Sequence, residues 1–199
     1  HPHIVTLSGF SVADGRPYLV MELLEGRTLA ARLDEGPLDE ATARDIALQT
    51  LDALVYAHAE GCVHRDLKPA NIFLCELPTS PHHVKILDFG FVKLVEGDAA
   101  GTQSVLTRSG VAFGTPGYMS PEQAIGGVTD ARSDLYSFTV VLFHMLAGRR
   151  PFVGSLPEVV RQHLTEPVPE LSVGGRAVRA SLGLRELLQR GMAKAPADR

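Results

Sequence analysis

The sequence is poor in several features that mark particular classes of protein. Its 199 residues contain two cysteines, Cys62 and Cys75, which are too few for a disulfide framework and show no metal-ligand spacing. The formal net charge is −4 at pH 7, which gives no basic surface for binding nucleic acid. These absences argue against a disulfide-stabilised secreted domain and against a nucleic-acid-binding protein, and they favour a reducing, cytoplasmic setting.

Long apolar runs and a leader segment are also missing. The most apolar stretch, residues 135–147, contains Ser137 and His144 and is too short to span a bilayer, so we predict a buried helix there. The chain opens at His1 without an initiator Met, and no signal-peptide pattern follows. We therefore expect a piece of a longer protein, without a membrane segment in these residues, whose whole form can be anchored by segments elsewhere.

What is present is typical of a globular domain. Apolar residues make up 45% of the chain and charged residues 21%, which argues against disorder. Two β-branched and aromatic runs at residues 4–10 and 18–23, with Asp14-Gly15 between them, predict a β-hairpin. Apolar residues at helical spacing over residues 39–60 predict a core helix.

The predicted helices carry no evident chemistry. Val55 and His58 fall on the inward face of the helix at residues 39–60, where we interpret His58 as a packed histidine rather than a ligand. A second pattern, over residues 130–147, is apolar on nearly all sides and should be buried all round. Amphipathic patterns predict two more helices, over residues 156–164 and 182–192.

Two short strands are predicted over residues 72–75 and 84–87. The linker between them, residues 76–83, contains Pro78 and Pro81 and should not continue the ladder. The adjacent histidines His82-His83 have no third ligand at a suitable spacing, so a solvated turn is predicted there rather than a metal site.

The strongest pattern is an eight-residue run just ahead of the first of these strands. It brings an acid, an amine and a carboxamide together in the order His64, Arg65, Asp66, Lys68 and Asn71. Five specified positions at this spacing would recur by chance on the order of once in ten thousand sequences of this length. Such a run can hold a nucleophilic hydroxyl, a phosphoryl group and a metal ion close together.

This run resembles the catalytic loop of protein kinases, in the form with Lys two residues after Asp that serine/threonine kinases use. Further family motifs follow in the expected order: Asp88-Phe89-Gly90, Gly114-Thr115-Pro116 and Ser120-Pro121-Glu122, the last a bacterial variant of Ala-Pro-Glu. Over residues 3–199 the chain is similar to the eukaryotic-like bacterial serine/threonine protein kinases.

The resemblance implies an α+β protein-kinase-like fold, mainly an α-helical C-terminal lobe with short β-hairpins and a remnant of the N-lobe sheet. Residues 1–22 would be the last two strands of the N-lobe, leading into the hinge. Residues 23–199 would be the C-lobe, with the catalytic loop at 64–71 and the activation segment at 88–122. The family often has Gly in the central helix where this chain has Thr139, so we expect less close packing there.

Catalytic roles are also implied by the resemblance. Asp66 would accept the proton of a substrate hydroxyl, and Lys68 would stabilise charge on the transferring γ-phosphoryl group of ATP. Asn71 and Asp88 would hold Mg²⁺ through hard oxygen ligands. The implied cofactors are therefore ATP and Mg²⁺, and the implied partners are proteins with Ser or Thr side chains.

Activation would depend on the loop that follows. Thr107 and Ser109 lie where such kinases are autophosphorylated, which implies self-association for transfer between two copies. Arg65, beside the catalytic acid, would clamp the added phosphate. Thr115 would hydrogen-bond toward the catalytic acid and lysine, which favours serine and threonine substrates.

Nucleotide binding is assigned to residues of the hinge and of one strand. Met21 would be the gatekeeper, and the backbone around Glu22 and Leu24 would pair with adenine. Phe73 would complete the ATP-binding set together with Asp88.

Structural roles follow from the same resemblance. Asp134 would hydrogen-bond the loop backbone near His64, and Phe89 would be an apolar plug beneath the site. Arg199 would pair with Glu122, because a guanidinium can hold a carboxylate through two parallel bonds.

Three family features are missing from these residues. No Gly-x-Gly-x-x-Gly precedes a strand, and neither a Val-Ala-x-Lys strand nor a partner-helix Glu is present. In the family these parts cover the phosphates and anchor them through a lysine. We therefore expect this polypeptide alone to bind ATP weakly and to turn over little or nothing.

Four functions are open at this point. The first is an active Mg-ATP-dependent kinase in its whole form; the others are a pseudokinase or scaffold, a truncated gene product acting as an interaction module, and a small-molecule phosphotransferase. Intact Asp66, Lys68, Asn71 and Asp88 favour the first, since folding alone does not require all four. The segment with Gly114-Thr115-Pro116 and Ser120-Pro121-Glu122, which docks peptides in the family that it resembles, disfavours the last.

Overall fold

Three small antiparallel sheets accompany the helices in the computed structural model, which describes residues 1–14, 16–77, 80–89, 116–177 and 180–199. The strands pair as β1–β2, as β3–β4–β5 and as β6–β7. Their bounds are β1 Leu7–Ala13, β2 Arg16–Met21, β3 Gly26–Thr28, β4 Ile72–Leu77, β5 Ser80–Ile86, β6 Ser172–Val173 and β7 Arg176–Ala177.

The helices supply most of the buried apolar residues. Their bounds are α1 Leu29–Leu33, α2 Glu40–Ala59, α3 Pro121–Ala124, α4 Ala131–Ala147, α5 Leu156–Thr165 and α6 Leu182–Gly191. Short 3₁₀ turns occur at Pro69–Asn71, Pro116–Tyr118 and Pro196–Asp198. The α+β class predicted from the sequence is confirmed.

The hairpin predicted near the start begins later than its apolar pattern indicated. Residues 4–6 lie beside β5 instead, where the Val5 N–H donates to the Ile86 carbonyl at 3.0 Å and the Ile86 N–H donates to the His3 carbonyl at 2.9 Å. Val5 is buried, whereas Phe10 is 58% exposed in the hairpin. The apolar side chain of Val5 thus belongs to the core beside β5, and the hairpin stands clear of it.

Helix α2 has the predicted ends and most of the predicted buried face. The Asp39 side chain caps it by accepting the Thr42 N–H at 3.0 Å, and Gly61 follows it with a left-handed φ of 74°. Val55, predicted to face inward, is 67% exposed. The prediction was wrong at Val55 because the buried stripe passes through small residues of the last turns. The buried residues are Ala43, Ile46, Ala47, Thr50, Ala53, Leu54 and Ala57.

Helix α4 is the buried centre of the helical part, as predicted. Asp130 caps it by accepting the Arg132 N–H at 2.8 Å, and Gly148 ends it in the left-handed conformation, with φ 67°. Its residues from Phe138 to Phe143 are all buried. Across the ranges that the structure describes, no helix combines the length and the apolar character that crossing a membrane requires.

The looser packing expected at Thr139 does not occur. Thr139 is 3% exposed and donates its hydroxyl to the Leu135 carbonyl at 2.7 Å. Gly191 of α6 lies directly against it, so close that a Cβ at Gly191 would collide with Thr139 Oγ1. The small residue is therefore supplied by the facing helix instead of by α4.

Strands β4 and β5 are longer than predicted because a bulge accommodates the second proline. Cys75 pairs with His83 and Leu77 pairs with Ser80, so Pro81 and His82 stand opposite a single residue. Two residues against one define a β-bulge, a position at which proline is tolerated in a sheet. The solvated turn predicted for His82 and His83 was therefore wrong, since both belong to β5.

Candidate active site

The first turns of α4 fix the backbone of the loop at residues 64–71. Asp134 is 1% exposed, and its carboxylate accepts the His64 N–H on Oδ2 and the Arg65 N–H on Oδ1, both at 2.8 Å. A buried carboxylate needs such donors to offset its loss of water. The bond to Arg65 also holds a left-handed backbone, φ 66°, which residues other than glycine seldom adopt.

His58, near the end of α2, is a third partner of the same carboxylate. Its Nε2 lies 2.8 Å from Asp134 Oδ2, and its side chain is 16% exposed. The interpretation of His58 as a packed histidine did not include this hydrogen bond. The sequence gives no signal of this contact, because the partners lie 76 residues apart on different helices.

His64 joins the loop to the segment that carries Asp88. Its ring is fully buried, its Nε2 lies 2.9 Å from the Leu87 carbonyl oxygen, and its centroid is 4.8 Å from that of Phe89. The Asp66 N–H donates to Nδ1 at 3.2 Å, so Nε2 carries the proton of a neutral ring. Burial lowers the pKa of His64, in keeping with that neutral form.

The side chains of Lys68 and Asn71 converge on Asp66. Lys68 Nζ donates to Asp66 Oδ2 at 2.6 Å, and Asn71 Nδ2 donates to the Asp66 carbonyl at 2.9 Å and to Oδ2 at 3.3 Å. None of the described residues donates a hydrogen bond to Oδ1, and the Asp66 side chain is 45% exposed. One carboxylate oxygen of Asp66 is therefore held by two side chains of its own loop.

Asn71 and Asp88 are oxygen donors of the kind that suits Mg²⁺. Asn71 is 7% exposed and commits Nδ2 to the loop, so Oδ1 is the atom that a cation would meet. The Leu87 N–H donates to the Asn71 carbonyl at 2.8 Å, which ties the segment carrying Asp88 to the loop. Within the described ranges, no group of three or more His, Cys, Asp or Glu residues could hold a metal ion. Asn71 and Asp88 are the residues that would hold a magnesium ion.

The residues assigned to the nucleotide lie at the end of β2, in the segment that follows it and in β4. Glu22 accepts Lys85 Nζ on Oε1 at 2.7 Å, a hydrogen bond that lowers the pKa of Glu22, and Lys85 pairs with Phe73 across β4 and β5. Met21 ends β2 and is 39% exposed, and Leu24 is half-buried. No hydrogen bond within the described residues uses the Leu24 N–H.

Three predicted residues lie outside the described part of the chain, namely Thr107, Ser109 and Thr115. The 3₁₀ turn at Pro116–Tyr118 comes directly after Thr115 in the chain. There the Tyr118 hydroxyl lies 2.8 Å from His144 Nδ1, which attaches this turn to α4.

Glu122 and Arg199 meet in the pairing expected for them. Arg199 Nη1 donates to Oε1 at 2.7 Å and Nη2 donates to Oε2 at 2.8 Å, while the Ser133 hydroxyl donates to Oε1 at 2.6 Å. Burial alone would raise the pKa of Glu122, but the hydrogen bonds from Arg199 and Ser133 outweigh it, so the pKa is lowered. Helix α3, which contains Glu122, is thereby fastened to Arg199.

Gln123 is a residue of the site that the sequence analysis missed. Its Oε1 accepts the Ser120 N–H at 2.9 Å, and its Nε2 donates to the Arg65 carbonyl at 2.6 Å. The Ser-x-x-Gln spacing is a capping-box pattern, so the first contact could have been predicted. The second could not, because it depends on how α3 packs against the loop.

Comparison with known proteins identifies the family. The family model described as "Protein kinase domain" matches residues 1–199. The chain is 41% identical over 201 residues to the serine/threonine-protein kinase Pkn1 of Myxococcus xanthus, covering 100% of the chain and 28% of that protein. It is 40% identical over 202 residues to pkn3 of the same organism, covering 100% and 37%. It is 35% identical over 206 residues to PknB of Mycobacterium tuberculosis (strain ATCC 25177 / H37Ra), covering 100% and 31%.

The chain thus spans between 28% and 37% of the length of these three curated relatives. All three are named serine/threonine-protein kinases, and the match of the family model covers every residue of the chain. The resemblance drawn from the motifs and the kinase-like α+β fold are thereby confirmed. The chain belongs to the protein kinase domain family, among its eukaryotic-like bacterial serine/threonine members.

Proposed function

We propose that this chain is part of a serine/threonine protein kinase that transfers the γ-phosphate of Mg-ATP to Ser and Thr hydroxyls of proteins. The observation that carries the proposal is the state of Asp66. Lys68 and Asn71 hold its Oδ2, while no described residue donates to Oδ1. A carboxylate arranged in this way suits the acceptance of a hydroxyl proton.

The chemistry follows from these contacts. The substrate hydroxyl donates a hydrogen bond to Asp66 Oδ1 and passes its proton there as its oxygen bonds to the γ-phosphorus and the bond to the β-phosphate oxygen breaks. A positioned base of this kind contributes on the order of 100- to 10,000-fold. Lys68, 2.6 Å from the carboxylate, is within reach to offset charge on the transferring group.

Asn71 and Asp88 are the residues that would hold Mg²⁺, which supplies charge neutralisation to the phosphates of the nucleotide. We propose that adenine pairs with the backbone of Glu22 and Leu24. Met21 would be the gatekeeper, and Phe73 of β4 would complete the set. The Lys85 bond to Glu22 supports this assignment, because it ties the hinge to the sheet that carries Phe73.

For activation we propose phosphorylation of Thr107 or Ser109 by a second copy, with Arg65 binding the added phosphate and Thr115 bonding toward the catalytic acid. Arg65 is exposed, and its guanidinium is therefore accessible to a phosphate. Incubating the Asp66→Asn protein with the unchanged protein tests this proposal. Mass spectrometry should find phosphate on the inactive copy, and its absence there would contradict transfer between copies.

Residues 1–22 are proposed as strands of the N-lobe leading into the hinge, and residues 23–199 as the C-lobe. The 199 residues contain neither a Gly-x-Gly-x-x-Gly loop nor a Val-Ala-x-Lys strand. We therefore propose that this polypeptide, purified by itself, binds Mg-ATP weakly and transfers little or no phosphate. Robust transfer by the 199 residues alone would contradict this part of the proposal.

The main test uses the protein expressed from the complete reading frame that encodes this chain. With Mg-ATP and a basic protein substrate, Asp66→Asn should lower phosphate transfer by at least about 100-fold. Asp52→Asn is the matched control, because Asp52 is a carboxylate of α2 that is 64% exposed and is assigned no role at the site. An unchanged protein that is folded but inactive would favour a pseudokinase or scaffold instead.

A further inference from the structure

The peptide group between Arg65 and Asp66 is held at both of its polar atoms. The Arg65 carbonyl accepts Gln123 Nε2 at 2.6 Å, and the Asp66 N–H donates to His64 Nδ1 at 3.2 Å. Because a peptide group is planar, these two bonds together fix the orientation of the backbone from which the Asp66 side chain projects. The bond from Gln123 is the shorter of the two, and it comes from a different part of the chain.

Arg65 itself has a backbone that needs such support. Its φ of 66° is unfavourable for a side chain with a Cβ, and Asp134 holds only its N–H. Gln123 supplies the corresponding contact on the carbonyl side. Arg65, the residue before Asp66, is therefore held by α4 at its N–H and by α3 at its carbonyl.

The Gln123 amide is oriented by its second contact. Its Oε1 accepts the Ser120 N–H at 2.9 Å and lies 3.2 Å from the Ser120 hydroxyl oxygen, so Nε2 is directed to the Arg65 carbonyl. An amide satisfies both neighbours, whereas a carboxylate would satisfy the Ser120 side and place a negative oxygen against a carbonyl. The identity of the side chain is thus required by the loop rather than by the helix cap.

We infer that Gln123 is a positioning residue, which transmits the placement of the docking segment at Ser120-Pro121-Glu122 to the orientation of Asp66 through the Arg65 carbonyl. This inference rests on the proposed function. When the docking segment is displaced, the bond to Arg65 is lost and Asp66 turns away from the hydroxyl. When the docking segment is in the position that the structure shows, Asp66 stays in place.

The test is Gln123→Glu in the protein expressed from the complete reading frame, with Ser120→Ala as the matched variant. Gln123→Glu retains the acceptor for the Ser120 N–H and replaces the donor to the Arg65 carbonyl with a carboxylate oxygen. We expect kcat to fall about 10- to 100-fold, with an unchanged KM for ATP and an unchanged melting temperature. Ser120→Ala removes the capping hydroxyl and keeps the Gln123 donor to Arg65. It should therefore lower the melting temperature, and it should lower kcat less than Gln123→Glu does.

A second readout does not depend on activity. Hydrogen–deuterium exchange of the peptide containing residues 64–67 should be faster in Gln123→Glu than in the unchanged protein. If exchange is faster but the unchanged protein transfers no phosphate, the result would support the contact between Gln123 and Arg65 and overturn the proposed function. Unchanged exchange would overturn the inference, whether or not kcat falls, because the effect would not pass through this peptide group.

Discussion

The guanidinium of Arg199 holds the carboxylate of Glu122 through two parallel hydrogen bonds, Nη1 to Oε1 at 2.7 Å and Nη2 to Oε2 at 2.8 Å. The Arg199 side chain is completely buried, and the Glu122 side chain is 10% exposed. Arg199 also donates to the backbone carbonyls of Ala193 and Lys194. The pair is therefore part of a buried network, in which removing one partner leaves a charge without compensation.

Replacing the guanidinium of Arg199 should measure how much this network stabilises the fold. Arg199→Lys keeps the charge but cannot make two parallel bonds, so we expect a loss of about 2 kcal/mol in the free energy of unfolding. Arg199→Ala should cost about 3–5 kcal/mol. Urea denaturation provides the measurement. Arg161→Ala is the control, because Arg161 pairs with Glu166 at 60% exposure and should change stability by less than about 0.5 kcal/mol.

Glu122 should make the stability of the protein depend on acidic pH. Its pKa in the folded protein lies below the ordinary value of 4.5, so the folded state binds its proton less readily than the unfolded state does. The resulting stabilisation is fully present above that ordinary value and is lost as pH falls through the lower, folded pKa. The difference in unfolding free energy between the unchanged protein and Glu122→Gln should therefore shrink on acidification. Chemical denaturation at pH 7 and below pH 4 tests this, and a constant difference would contradict it.

Removing the histidine beside Asp134 should loosen the catalytic loop. His58→Phe leaves the buried carboxylate with two donors in place of three, and we expect a loss of about 1–3 kcal/mol in unfolding free energy. The amide of His64, which shares Asp134 Oδ2 with His58, should also exchange faster with deuterium. Val55→Ala is the control on the exposed side of the same helix. Equal effects of the two substitutions would contradict a role for the His58 contact.

The parts of the site that lie close together in sequence could be predicted, because their spacing carries the chemistry. Asp66, Lys68 and Asn71 fall within one loop, and the bonds between their side chains span only two to five residues. Helix caps such as Asp39 are local as well, since the capping oxygen bonds an N–H three residues ahead. Long apolar periods likewise predicted α2 and α4, because burial of an apolar face is what stabilises such helices.

The contacts that could not be predicted join elements distant in the chain. His58 and Gln123 are polar residues at helix ends, where a solvated role is as compatible with the pattern as a bond to Asp134 or Arg65. The bulge at Pro81 was missed because the sequence pattern of a strand does not show where an extra residue is accommodated between paired strands. In each case the packing of separate elements, rather than local propensity, decided the outcome.

Thr139 and Gly191 offer a direct test of such packing between α4 and α6. Alanine is the better helix former by about 1 kcal/mol, so Gly191→Ala would stabilise α6 if its surroundings were open. The added methyl group would instead collide with Thr139, and overpacking of a core costs about 1–3 kcal/mol. We therefore expect Gly191→Ala to destabilise the protein, and the same substitution to be neutral or stabilising in a Thr139→Gly background. Thermal unfolding of the four proteins of this double-mutant cycle gives the coupling, and an equal effect of Gly191→Ala in both backgrounds would show that the two helices do not depend on this contact.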